Sequence, residues 1–413
     1  MTGKQARRRG LAWLAPAVAL GLLVAACGTT TGAGGGGEAV KEVHLGGTYP
    51  MTGPLGTDGQ EMVNAIQIAI DDVNAAGGIA SLGGAKVKFT ALDSKGAPEQ
   101  AANNTKALID QGVVGLIGAW LSSNTLATTQ VAERAQIPHI VDQSQAKEIL
   151  GRGFKYTYRV MFSPEKVGVA ATEQLEELRK RLPKLGRSVV YLHEESSFGS
   201  ALAEEWVKNA KNYDLEVKAV IAYPTATTNL STEVARAIAT EADMIMSSGY
   251  APDSLLLLKA LKEQGAKFKA VVGVDSAAWY TNRFAKQAGD LLNNVFDTSY
   301  PVNRGASEYT SFENAYRKRF NADPSDAAAL SYTSARVLVE AIEKAGATGG
   351  PEIQKQLATG TFKPYLLAQD QITFSEEGQN KEIMPLMYQW QDGVRQTILP
   401  EKFATAKPRD PSR

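Results

Sequence analysis

The 413-residue sequence predicts an α/β protein of two doubly wound lobes, and three observations carry that expectation. Short apolar runs alternate with amphipathic segments of helical length, the pattern of right-handed βαβ units whose parallel sheets are covered on both faces. The rhythm pauses after residue 141 and restarts at residue 188, giving two sets in tandem. About 360 residues follow a glycine-rich stretch near the N-terminus, which favours two domains over one.

In the first set, Val43–Tyr49 reads as a strand and Gln60–Asn74 as a helix. Val63, Ile66, Ile70 and Val73 fall on one face of that helix. Gly77-Gly78 ends it, since glycine tolerates the left-handed cap. Strand Val87–Leu92, a helix from Pro98 to Asp110, strand Val113–Gly118, helix Thr125–Arg134 and strand Ile137–Val141 complete the set. In the second set, strand Ser188–His193 precedes helix Gly199–Asn212, whose apolar side holds Leu202, Trp206, Val207 and Ala210. Strand Val217–Ala222, helix Thr232–Thr240, strand Met244–Ser247, helix Asp253–Gln264 and strand Ala270–Val274 follow. The C-terminal third adds a long helix, Ala327–Lys344, and two strand-like runs, Gln371–Phe374 and Met384–Trp390. Pro400 to Arg413 is polar and proline-containing and reads as a loose tail.

The N-terminus is a different kind of segment. Lys4 and Arg7-Arg8-Arg9 precede an apolar stretch from Leu11 to Val24. Its length of about 14 residues falls short of the roughly 20 a helix needs to cross a bilayer. A basic patch, a short apolar core and the small residues Val24-Ala25-Ala26 read as a signal peptide, residues 1–26. Cys27 follows at once and is the sole cysteine, so no intramolecular disulfide can form. Val24-Ala25-Ala26-Cys27 resembles the lipobox of bacterial lipoproteins, which implies a lipidated Cys27 as the mature N-terminus and an outer-face membrane anchor. The arginine run would also suit a twin-arginine exporter, although the residues after it fit that signal poorly; the export route stays open. Residues 28–38, Gly-Thr-Thr-Thr-Gly-Ala-Gly-Gly-Gly-Gly-Glu, form a flexible tether. Gly32, Gly34 and Gly37 match G-x-G-x-x-G, but without a strand before and a helix after, the match carries no dinucleotide site. Residues 1–26 hold four of the 44 basic residues and none of the 44 acidic ones, so the remainder has a formal charge of −4. No basic stripe suggests nucleic acid.

In open α/β sheets ligands bind beyond the carboxyl ends of the strands. Here those ends carry polar and aromatic groups: Trp120-Leu121-Ser122-Ser123-Asn124-Thr125 after Val113–Gly118, and Asp142-Gln143-Ser144-Gln145 after Ile137–Val141. Ser196-Ser197-Phe198-Gly199, Gly249-Tyr250 and Asp275 follow three strands of the second set. Two such rims facing each other make a cleft.

These stretches resemble the leucine/isoleucine/valine-binding family of type I periplasmic binding proteins over nearly all of residues 43–395. The pieces that carry the resemblance are Met51-Thr52-Gly53-Pro54, Asp71-Asp72-Val73-Asn74-Ala75-Ala76-Gly77-Gly78-Ile79, and Ile117-Gly118 with Ser122-Ser123-Asn124-Thr125. His193-Glu194 with Phe198-Gly199, Gly249-Tyr250 with Pro252, Gly273 with Asp275, and Asp323-Pro324-Ser325 complete the set. The resemblance implies two Rossmann-like lobes joined by a three-crossover hinge, with crossovers near Phe162–Glu165, Thr298–Pro301 and Gly378–Glu382. One lobe would combine residues 43–162 with 301–378 and the other 165–298 with 382–400, after a lipidated tether at 27–42 and before a tail at 401–413.

The resemblance also implies residue roles. Ser122 matches a serine that holds a ligand α-carboxylate, with Ser123, Asn124 and Thr125 opening a helix whose free amides favour an anion; the alternative is that Ser123 or its neighbours merely cap the helix. Asp275 matches the acidic partner of the ligand's α-ammonium, in a place where a buried cation needs a paired charge; the alternative is a turn aspartate. Asp275 has a shorter arm than the glutamate of close relatives. Tyr250 matches an aromatic cleft wall, and Phe198 stands where tyrosine is usual. Gln143, Ser144 and Gln145 occupy a place where small residues and a threonine are usual, implying a more polar ligand or a smaller pocket. Trp279 and Tyr280 could stack on a ligand or pack in the core.

Together these features imply an exported solute-binding lipoprotein that delivers an amino-acid-like ligand to ABC permease subunits, with no cofactor and no metal. A sensing subunit without transport is the second reading. Catalysis finds no support: His193-Glu194-Glu195 lacks the second histidine of a zinc protease, there is no G-x-S-x-G, and the adjacent acids Asp71-Asp72 face different directions on a helix.

Overall fold

The computed structural model describes residues 40–276, 279 and 281–411. The expected signal peptide, Cys27, the glycine-rich stretch 28–38 and Tyr280 lie outside the described residues.

The first sheet forms from β1 (Glu42–Tyr49), β2 (Lys86–Asp93), β3 (Gly115–Gly118), β4 (His139–Val141) and β5 (Thr157–Arg159), all parallel, in the order β2-β1-β3-β4-β5. Helices α1 (Gly56–Ala75), α2 (Pro98–Asp110) and α3 (Ser122–Arg134) connect the first four strands. Met62, Ile66, Ile70 and Val73 bury one face of α1, as the spacing predicts, while Val63 is half-buried. Gly77 and Gly78 take positive φ after it, and a Cβ on Gly78 would lie 2.5 Å from two backbone carbonyl oxygens. That turn therefore requires glycine.

Helix α4 (Pro164–Arg181) had no counterpart in the sequence reading beyond a crossover at its start. Ser163 caps it by accepting the Lys166 amide at 3.3 Å, Pro164 opens it, and Arg179, Lys180 and Arg181 complement its C-terminal dipole. The second sheet then forms from β6 (Ser188–Glu194), β7 (Glu216–Tyr223), β8 (Met244–Ser248), β9 (Ala270–Val274) and β10 (Phe296–Ser299), interleaved with α5 (Ser197–Ala210), α6 (Ser231–Ile238), α7 (Ala251–Glu263) and α8 (Asn282–Ala288). Its parallel part runs β7-β6-β8-β9-β10, the same strand order as the first sheet.

The chain next forms α9 (Ser307–Phe320), α10 (Asp326–Ala345) and α11 (Gly350–Thr359). Buried along most of its length, α10 packs against α1, β3 and β4 of the first sheet. Ser325 caps it, accepting the Ala328 amide at 3.1 Å, and Gly346 ends it in the left-handed conformation. Finally β11 (Leu386–Gln391) and β12 (Val394–Leu399) return as an antiparallel hairpin on the edge of the second sheet beside β10. Segments 159–163 and 378–383 run side by side where the chain passes between the sheets. Buried Arg159 donates to the Gln379 carboxamide at 2.7 Å, and Asn380 donates to the Val160 carbonyl at 2.9 Å.

Three expectations need correction. Helix α3 begins at Ser122, not Thr125, because the backbone turns helical directly after extended Leu121. Gln371–Phe374 forms only isolated bridges, Phe362 with Ile372 and Phe374 with Asn380, having no partner strand long enough to pair with. The supposed loose tail is docked through residue 409: the Gln389 carboxamide pairs both ways with the Arg409 backbone at 2.8 Å, Gln391 donates to the Lys407 carbonyl at 2.9 Å, and Thr405 donates to Thr397. Two buried glutamines on β11 need partners, and this segment supplies them.

Candidate functional site

Strand order 2-1-3-4-5 reverses direction between β1 and β3 in the first sheet and between β6 and β8 in the second, and such a switch point leaves a crevice at the carboxyl ends. The residues that the sequence singled out follow the carboxyl ends of β3 and β4 in the first sheet and of β6, β8 and β9 in the second.

On the first rim, β3 runs out through Gly118 into Trp120, which adopts a positive φ of 61°, an uncommon conformation for a bulky side chain. Helix α3 starts at once, and no side chain caps it, so neither Ser122 nor Ser123 plays the capping role. Its first-turn amides therefore point outward without intrahelical partners. Ser122, buried, accepts the backbone amides of Gln145 and Ala146 at 3.2 Å each, which ties the loop after β4 to the start of α3. Thr125 and Ser144 continue the tie, hydroxyl to hydroxyl at 2.5 Å, and Ser144 reaches the Trp120 carbonyl at 2.6 Å. Ser123 is half-buried beside them.

Gln143 and Gln145, two residues apart, behave differently. Gln143 turns into the protein, donating to Ser331 at 3.0 Å and the Ala327 carbonyl at 3.2 Å and accepting from Tyr300 at 3.1 Å. Gln145 turns toward the second sheet and donates from Nε2 to Asp275 Oδ2.

On the second rim, the Glu194 carboxylate organises the start of α5, accepting from the Ser196 and Gly199 amides, both at 2.7 Å. A Cβ on Gly199 would lie 2.3 Å from the Glu194 carbonyl oxygen, so the chain needs glycine there. This turn presents Phe198, whose ring lies 5.2 Å from that of Tyr250. Tyr250 meets Trp120 of the first rim edge-to-face at 5.8 Å. Asp275 follows β9 with a φ of 51°, a conformation that Asp and Asn adopt more readily than other side chains. Its carboxyl group is fully buried and bonded to Ser299 at 3.2 Å and to Gln145. Burial, reinforced by the charge of Asp297, pushes it up to about 8. Asp297 is itself raised by burial; the Arg395 guanidinium lies 3.6 Å from it and also pairs with Asp326 at the start of α10. Trp279 belongs to the core: it packs against Gly273, and its carbonyl accepts the Trp390 indole at 3.0 Å.

Several residues outside the sequence reading also join the two rims. Lys147 bridges to Glu205 of α5 at 2.6 Å, and Arg283 of α8 pairs with Asp58 and, at 3.6 Å, with Glu61 on the first turns of α1. A cavity of about 770 Å³ opens beside the second pair, lined by Thr52, Thr57, Gln60, Glu61, Thr281 and Arg283 among others. Burial, with Asp58 nearby, pushes Glu61 up to about 7. Asp58 and Glu61 are an i,i+3 acid pair that the sequence displays, but their partner lies 225 residues away from Asp58.

The model of the periplasmic binding protein family matches residues 42–393. Among relatives, Leu/Ile/Val-binding protein homolog 8 of Brucella abortus is 30% identical over 389 residues, 90% of this chain and 94% of the relative. The branched-chain amino acid transporter substrate-binding protein LivJ of Streptococcus pneumoniae, solved with isoleucine, superposes with a TM-score of 0.75 at 22% identity, covering 87% of this chain and all of LivJ. A solute-binding protein of an ABC transporter from Rhodopseudomonas palustris, solved with 3,4-dihydroxybenzoic acid, gives 0.74 at 19% identity, covering 90% of this chain and 99% of that one.

Proposed function

The chain belongs to the periplasmic binding protein family, in its Leu/Ile/Val-binding branch, and from that premise we propose that it captures an amino-acid-like ligand between two lobes for an ABC importer. The lobes are residues 43–162 with 301–378 and residues 165–298 with 382–400. The observation that carries the reading is the opposition of charge preference across the cleft. An uncapped helix start with Ser122 lies on one rim and favours a carboxylate. A buried Asp275, with no cationic hydrogen-bond partner among the described residues, lies on the other and favours an ammonium. Phe198, Tyr250 and Trp120 would form the wall between, and Ser123, Thr125 and Ser144 would hold the carboxylate end in shape. Gln143 serves this site from behind, by fixing the loop against α10.

A thermal-shift screen of amino acids, followed by calorimetry of the best binder and its des-amino analogue, tests the reading. The amino acid should bind at least a hundredfold tighter than the analogue, about 2.7 kcal/mol. Equal binding of an amine-free carboxylate, such as an aromatic acid, would overturn the ammonium half of the proposal. Anchoring follows from Val24-Ala25-Ala26-Cys27: the native protein should partition with membranes, and Cys27→Ser should release it into the soluble extracytoplasmic fraction. A soluble native protein with an unmodified thiol would contradict the lipoprotein reading.

A further inference from the structure

We propose that Asp297 is a positioning residue that makes the cleft select an amine: it engages the Arg395 guanidinium, and Asp275 is left as the carboxyl group with which a ligand cation can pair. The inference rests on the ammonium role proposed above for Asp275 and adds the reason that a nearby arginine does not already fill that role.

Sheet register brings the groups together. On β10, Asp297 stands opposite Gly273 of β9, two residues before Asp275. A Cβ on Gly273 would lie 2.3 Å from Asp297 Oδ1, so glycine leaves the room in which this carboxyl group sits. From there Oδ1 accepts the amide of Ser276, the residue after Asp275, at 3.3 Å. On its other side Asp297 stands opposite Tyr388 of β11. Arg395 of the next strand, β12, lays its guanidinium over the Tyr388 ring, 3.5 Å from the ring centre. The side chain thereby spans β11, reaching Asp297 Oδ2 with Nη2 at 3.6 Å while Nη1 pairs with Asp326 at the start of α10.

The charges in this cluster count unevenly. Among the described residues, Arg304 and Arg395 face Asp297 and Asp326, two cations against two carboxylates. Asp275 is the fifth group, and its hydrogen-bond partners, Gln145 and Ser299, are neutral. Tyr191, Tyr250 and Tyr388, the other titratable groups around the acid pair, are raised by burial and stay neutral. A buried charge needs a counter-charge, and one ligand cation supplies it for Asp275. Without the Asp297 charge, Arg395 becomes surplus and balances Asp275 from within, since an opposite charge nearby favours the ionised carboxylate. A ligand ammonium is then one cation too many. A purely structural role predicts something else: if Asp297 only held the turn, Asp297→Asn, whose carboxamide oxygen can still accept the Ser276 amide, would leave the ligand preference alone.

The experiment is calorimetry at a pH of about 8, where Asp297, pushed up by burial to about 7, is mostly ionised. The best-binding amino acid and its des-amino analogue are compared on native protein, Asp297→Asn, Arg395→Met and the double variant. The preference for the amine, taken as the ratio of the two affinities, should fall roughly tenfold or more in Asp297→Asn. It should persist in Arg395→Met, and the double variant should recover it, because removing the surplus cation restores the count. Asp297→Ser, whose hydroxyl can also accept an amide, takes the place of Asp297→Asn if that variant does not fold. A double variant that prefers the amine no more than Asp297→Asn does overturns the role of Asp297. A native preference that survives Asp297→Asn unchanged defeats this inference alone, whereas native protein with no preference for the amine defeats the Asp275 reading and this inference with it.

Discussion

The two rims share a strand order and differ in almost everything else. The first is neutral: Ser122, Thr125 and Ser144 spend their hydroxyls on backbone groups and on one another, and the proposed anion preference would come from amides at the start of α3. The second is acidic: Asp275 and Asp297 are both buried and both raised toward neutrality, with one guanidinium, Arg395, facing Asp297 and shared with Asp326. One rim offers dipoles that need no counter-charge, the other a carboxyl group that becomes a good acceptor only when a cation arrives. On the proposed reading, the same fold yields one half of the site from backbone geometry and the other half from side-chain charge. Substitutions should therefore hurt the second rim far more than the first.

The largest effect is expected at Asp275. Asp275→Asn keeps the shape, and Asn accepts the positive φ as Asp does. It removes the charge that an ammonium would need, so affinity for an amino acid should fall by roughly 30-fold or more, ~2–5 kcal/mol. Proton linkage sharpens the test. Burial and Asp297 push Asp275 up to about 8, well above the usual carboxylate range, so it is largely protonated at pH 7. The stability it contributes is fully present below about 4 and is lost as the pH rises through about 8. A bound ammonium reverses the shift, so binding at pH 7 should expel a proton and should tighten as the pH approaches 8. Calorimetry in two buffers of different ionisation enthalpy counts that proton. Asp275→Asn should abolish the release, and unchanged affinity with unchanged proton release would reduce Asp275 to a turn residue.

The contrast between the rims also marks what the sequence could and could not display. Alternating apolar and amphipathic runs gave most of both sheets, and β9 at Ala270–Val274 matches its expected range, because strand periodicity and buried-run length are local properties. Asp275 was visible as a charged residue ending an apolar strand. The different fates of Gln143 and Gln145 were not visible, because residues i and i+2 of an irregular loop carry no periodicity to say which faces a partner. The polar helix α9 has only a narrow apolar stripe, Tyr309, Phe312 and Tyr316, whereas α4 did display one, Val167, Ala170, Ala171, Leu175 and Leu178, together with the Ser163-Pro164 cap signal, and was overlooked. Bonds between rims, such as Gln145 to Asp275 or Arg283 to Asp58, join residues separated by 130 and 225 positions, and only the folded chain supplies that information.

The smallest effect is expected at Ser122, and it separates the two ways the first rim could work. Ser122 accepts two amides at 3.2 Å, long bonds at the outer edge of the usual range, and its backbone begins α3. Ser122→Ala removes the hydroxyl but leaves the helix start and its amides in place. If those amides hold the carboxylate, affinity should fall by only ~1–2 kcal/mol, a factor of roughly 5 to 30. The melting temperature should fall a little as well, since the amides of Gln145 and Ala146 lose their acceptor. Calorimetry of Ser122→Ala beside Asp275→Asn makes the comparison directly. A loss as large as that of Asp275→Asn would mean that the hydroxyl, not the helix, grips the ligand, and the asymmetry between the rims would disappear. No loss at all, with the melting temperature lowered, would make Ser122 a tie between two loops and place the carboxylate elsewhere on the first rim.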